Sequence, residues 1–130
     1  MDRHVPRANR RPGADLEVDP TDAVPDDQAV WVETANGVVV LLGCAHAGVV
    51  NTLDYIASLV GVPRFRAVIG GMHLLNADEA RLRKTAEALE RYGVALIAPC
   101  HCTGDKAVHY FKDRFDEALV CLAAGRVLEL

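Results

Sequence analysis

The 130 residues contain no apolar run near the roughly 20 needed to span a bilayer. That excludes a helical membrane span as the organising feature. There is no excess of basic residues: the formal net charge is -4, so neither nucleic acid nor an anionic membrane is expected as a partner. The opening residues, Met-Asp-Arg-His-Val-Pro-Arg, lack the apolar core of a secretory signal, and a cytoplasmic setting is expected. Thiols stay reduced there, which argues against a disulfide framework for Cys44, Cys100, Cys102 and Cys121. No C-x-x-C pair occurs, so a structural zinc knuckle has little support. Aromatics are sparse, at one Trp, three Tyr and three Phe. A Ser-His-Asp order, a P-loop and a dinucleotide fingerprint are also missing.

What the chain does have is one arrangement used three times. A short apolar run leads to a histidine, and a helical pattern follows. The runs are Val38-Val-Val-Leu-Leu before His46, Ala67-Val-Ile before His73, and Ala95-Leu-Ile-Ala before His101. In an α/β sheet, ligands collect beyond the carboxyl ends of the strands, and imidazole is the commonest metal-binding side chain. The repetition points to one shared site.

Residues 1–27 are rich in Pro and Arg and then acidic, with Pro6, Pro12, Pro20 and Pro25 breaking any helix; they are expected to form an extended or disordered arm. Order is expected from 28 to 130. Residues 29–34 alternate as a strand, Asn36-Gly37 suits a hairpin turn, and Val38 to Gly43 is the return strand. A helix is predicted over 51–60 with its start near Gly48, and Gly61 is its stop. Arg66 to Gly71 is the next strand. Asn76 and Glu79 form a capping-box pattern opening a helix to about Tyr92. Val94 to Ala98 is a third apolar strand, and Thr103 is expected to cap a helix over 104–115. The last stretch, 118–130, reads as a closing hairpin. The three strands after the first are apolar without alternation, as strands buried on both faces are. Three helices can cover one face, so the chain calls for a second layer from elsewhere.

Each motif carries two readings. In Gly43-Cys-Ala-His46-Ala-Gly48 the glycines allow a sharp turn and close approach to a ligand; alternatively His46 is a buried histidine bonded to a backbone carbonyl. In Pro99-Cys-His101-Cys-Thr-Gly104 an extended backbone would turn Cys100 and Cys102 away from His101, leaving the imidazole as ligand. Thr103, Gly104 and the first helical amides would offer an anion cradle. The other reading is a helix cap beside two buried thiols. His73, after Gly70-Gly71-Met72, is either a ligand or a satisfied loop histidine. Asp27 could orient a ligating histidine or belong to a solvated turn. His4 and His109 are assigned no role.

These motifs together resemble the metallo-β-lactamase superfamily. Asp26-Asp-Gln-Ala29, Gly43-Cys-Ala-His-Ala-Gly-Val-Val-Asn-Thr52, Ile69-Gly-Gly-Met-His-Leu74 and His101-Cys-Thr-Gly104 are similar to its dihydropterin/ribofuranosylaminobenzene 5′-phosphate synthase-like hydrolases. The resemblance implies an αββα sandwich of two similar halves with one or two divalent metal ions, usually zinc, with manganese or iron as other candidates. It implies metal ligation by His46 and His101, with His73 as a ligand or substrate contact. Asp27, Cys44 and Cys102 would support those ligands. The signature His-x-His-x-Asp-His of the first half is absent, since no two histidines here are two residues apart.

The expected fold is therefore α/β (α+β): half of a metallo-β-lactamase sandwich, a mixed sheet with three helices on one face. The expected function is that of a hydrolase half-domain acting on a small, phosphorylated molecule. It would be completed by a homodimer partner or a complementing N-terminal half. The alternative is a non-catalytic metal- or anion-binding module that completes another chain.

Overall fold

A computed structural model describes residues 27–61 and 64–130. The expected arm lies outside the described residues except for Asp27. Strand β1, Ala29–Thr34, pairs antiparallel with β2, Gly37–Leu42. Helix α1, Val49–Val60, leads to β3, Phe65–Gly71; helix α2, Glu79–Arg91, leads to β4, Leu96–Cys100. A 3-10 turn, His101–Thr103, precedes helix α3, Asp105–Phe115. The sheet order is β1-β2-β3-β4, with β2, β3 and β4 parallel. Three parallel strands joined through helices must end at one edge of the sheet. That edge receives the loops holding His46, His73 and His101. Because β1 runs the other way and pairs Ala29 with Leu42, its start, and so Asp27, lies there too.

The register defines two faces. The row Trp31, Val40, Val68 and Ile97 is almost wholly buried and belongs to the same cluster as Leu53 and Ile56 of α1, Leu82, Ala86 and Leu89 of α2, and Ala107 and Phe111 of α3. This is the mixed sheet with three helices on one face that the sequence implied. The other rows run Val30, Leu41, Ile69, Ala98 and Val32, Val39, Ala67, Leu96. Val39, Ala67 and Ala98 are buried but stand outside the main cluster, while Val32 and Leu41 remain 43% and 41% exposed. No helix among the described residues is long and apolar enough to cross a membrane.

Local chemistry shifts several boundaries. The hairpin turn falls on Ala35-Asn36, with Thr34 paired to Gly37, and Gly37 rather than Asn36 takes positive φ, at 119°. Asp78, not Asn76, caps α2: its carboxylate accepts the Arg81 amide at 2.8 Å. An Asp directly before the first helical residue fits the N-cap better than an Asn two residues earlier. Thr103 does not cap α3; Gly104 takes the N-cap position, and the Thr103 hydroxyl donates to the Cys100 carbonyl at 2.8 Å. The closing hairpin does not form. Leu119 makes one parallel bridge to Ile97, and the Val120 amide donates to the Ile97 carbonyl at 2.8 Å. The chain turns near Gly125, yet Val127 is 82% exposed, so the return run has no strand beside it.

Candidate metal centre

Close contact between strand ends builds this edge. Gly70 has φ 130°, and a Cβ there would lie 2.1 Å from the Leu42 carbonyl oxygen. At Gly71 a Cβ would lie 2.5 Å from the Gly43 oxygen and 3.0 Å from Cys102 Sγ. The double glycine therefore lets β3 end against the loop after β2, where the Gly71 amide donates to Gly43 at 3.2 Å. The Leu74 and Leu75 amides both donate to the Cys102 carbonyl, at 3.1 and 3.2 Å, which ties the loop after β3 to the turn after β4. Each of the three loops also holds one non-glycine residue in the left-handed region: Ala45, His73 and His101 at φ 55°, 49° and 53°. Such conformations persist where the surroundings impose them, and they cluster at functional sites.

Asp27 fixes the first loop. It is buried, and its two carboxylate oxygens accept the backbone amides of His46 at 3.1 Å and Ala47 at 2.8 Å. The solvated-turn reading of Asp27 is thereby set aside: its carboxylate holds the backbone that presents His46. The His46 and His73 rings meet edge to face with centroids 4.6 Å apart. Both residues are exposed at the rim. Partial burial holds the His73 imidazole below its ordinary pKa; the nearby His46 and then Arg81 push the same way, and Asp27 opposes them.

Behind the rings sit two thiols. Cys44 Sγ is 3.6 Å from His73 Nδ1 and 2.9 Å from Cys102 Sγ, and the His73 amide donates to Cys102 Sγ at 3.2 Å. One ligand atom from each of Cys44, His73 and Cys102 falls within 4.8 Å of the others, a grouping that could hold a metal ion. His101 is exposed at the head of the 3-10 turn and is not in that group. The segment is extended only up to Cys100. With His101 in the left-handed region, strand alternation no longer governs it, and Cys102 reaches Cys44 and His73.

Thr103 is buried and its hydroxyl is engaged twice, donating to the Cys100 carbonyl and accepting the Met72 amide at 3.2 Å. Gly104 follows it at the start of α3, with φ 81°. A groove of about 160 Å³ runs beside His73, lined also by Leu75, Asn76, Ala77, Arg81 and Cys102. Arg81 was not foreseen. In the sequence it is one of several charges on α2, and only the path of the loop after β3 brings it to the rim.

No protein-family model matches this chain. Over 108 residues it is 36% identical to the 7,8-dihydropterin-6-methyl-4-(beta-D-ribofuranosyl)-aminobenzene-5'-phosphate synthase of Methanocaldococcus jannaschii, covering 83% of this chain and 37% of that protein. An uncharacterized protein of the same organism is 31% identical over 70 residues, which are 54% of this chain and 26% of that one. Among solved structures, a metal-dependent hydrolase of the β-lactamase superfamily superposes with a TM-score of 0.78 at 38% identity, over 84% of this chain and 42% of its own. This chain thus spans less than half the length of the relatives it matches.

Proposed function

We propose that this chain, which belongs to the metallo-β-lactamase superfamily, provides one wall of a metal-dependent hydrolase site. The observation that carries the proposal is the convergence of His46, His73, Cys44 and Cys102 at the edge where the parallel strands end. Imidazole nitrogen suits zinc, so the histidines at this edge fit such an ion. His46, His101 and His73 would hold it. A bound divalent cation would supply Lewis acidity toward a phosphoryl or carbonyl oxygen. The remaining work falls to the chain itself. Asp27 keeps the His46 loop in place, and the groove beside His73 receives the substrate. Arg81, on that groove's wall, offers a cation to an anionic group, which favours a small, phosphorylated substrate.

The other wall comes from a second sheet laid on the face where Val32 and Leu41 are exposed. A second copy of this chain or a complementing N-terminal half would supply it, in a cytoplasmic setting. The test is elemental analysis of purified protein together with its mass in solution. Zinc bound to a dimer, and lost in a His46→Ala/His101→Ala double variant, is the expected result. A metal-free monomer would refute the proposal. Zinc retention without turnover of any phosphate ester, alone or with a complementing half, would leave a non-catalytic metal-binding module instead.

A further inference from the structure

Cys44 follows β2 and Cys102 follows β4, so the two thiols belong to the loops that carry His46 and His101. They are 58 positions apart in sequence, yet their sulfurs stand 2.9 Å apart. The Cys102 sulfur also lies 3.4 Å from the Cys44 carbonyl oxygen. Gly71 leaves room for it, since a Cβ there would come within 3.0 Å of that sulfur. The His73 amide points at it from a third side, at 3.2 Å. Two thiolates on one tetrahedral ion, with metal–sulfur bonds of about 2.3 Å, would stand roughly 3.8 Å apart. A cation would therefore have to part these sulfurs, whereas a covalent bond of about 2.05 Å needs only further approach.

We propose that Cys44 and Cys102 are a dithiol that closes to a reversible disulfide, strapping the loop after β2 to the turn after β4. The oxidant is a peroxide. One sulfur attacks a peroxide oxygen, the O–O bond breaks, and a sulfenic acid forms with release of water. The second thiol then attacks that sulfur, its proton leaves with the hydroxyl as a second water, and the S–S bond forms. Two thiols are oxidised by two electrons and one peroxide is reduced. Both sulfurs are half-buried, within reach of a small oxidant. Cys121 is exposed beyond the last helix. The inference does not depend on the hydrolase reading, because it needs no metal.

The experiment treats the full chain, stripped of metal by a chelator, with one equivalent of hydrogen peroxide and follows intact mass and peptide maps. The expected product is a monomer lighter by two hydrogens, with Cys44 and Cys102 in one cross-linked peptide, restored by dithiothreitol. The Cys100→Ser/Cys121→Ser variant should behave identically. Cys44→Ser should lose the cross-link and accumulate a sulfenic acid at Cys102. A sulfenic acid that persists at Cys44 or Cys102 without a cross-link would overturn the proposal, as would a disulfide that uses Cys100 or Cys121. The wild-type map decides the matter even if Cys44→Ser fails to fold.

Discussion

The two faces of the sheet are built from the same kinds of residue and meet different fates. On one face, Trp31, Val40, Val68 and Ile97 are sealed beneath three helices. On the other, Val39, Ala67 and Ala98 are buried while their neighbours Val32 and Leu41 keep about two-fifths of their surface in water. Valine and leucine lie on both sides, so side-chain type does not account for the difference. A covering layer does. α1, α2 and α3 supply it on one face, and among the described residues no helix is packed on the other. The edge that receives the loops of His46, His73 and His101 belongs to both faces, which is why an exposed sheet face bears on the rim.

Truncation should separate the faces most sharply. Leu53→Ala removes a fully buried side chain of α1 from the main cluster and should cost about 2–5 kcal/mol, read by urea denaturation. At the shared edge, Asp27→Ala leaves the amides of His46 and Ala47 without their acceptor, and a loss of about 1–3 kcal/mol is expected by the same measurement. Metal retention should fall with it. On the far face, a Val32→Lys/Leu41→Lys variant should change the stability of the monomer by only about 0.5 kcal/mol. It should, however, abolish association seen by sedimentation. A large loss of monomer stability in that variant would mean that the two faces are packed alike.

Much of this was legible in the sequence because it rests on local rules. Apolar runs marked β2, β3 and β4; Gly61 marked the end of α1; and strand-end placement marked the edge that receives the loops of His46, His73 and His101. The α2 cap was missed because Asn76 and Asp78 both suit an N-cap, and only the chain's path selects one. The hairpin expected at the end was missed because its second run finds no sheet edge. The roles within the site were harder to read. Alternation through 99–104 set Cys102 opposite His101, but His101 lies in the left-handed region, where strand alternation does not apply. No glycine marks that turn, so composition carried no signal of it. The pairing of Cys44 with Cys102, and the arrival of Arg81, depend on register across β2, β3 and β4, which spacing along the chain does not encode.

The last and weakest effect tests whether the rim feels the far face. His73 has its pKa depressed from 6.5, with partial burial as the largest cause. In the unfolded chain the imidazole takes up a proton at higher pH than in the fold. Between the folded and unfolded values the unfolded state therefore binds more protons, and stability rises with pH. The neutral ring's contribution is intact above about pH 6.5 and is lost as pH falls toward the depressed folded value. Because His73 is exposed, the loss should be small, and His73→Gln should flatten the stability profile just below neutrality. Titration of the ring by NMR, in metal-stripped protein, then reads whether cover on the far face reaches the rim. A second sheet on the far face would deepen burial at the rim and push the pKa lower still. Wild-type protein should therefore titrate below the Val32→Lys/Leu41→Lys variant at concentrations where only the wild type associates. Identical titrations in the two would show that whatever covers Val32 and Leu41 does not reach the site.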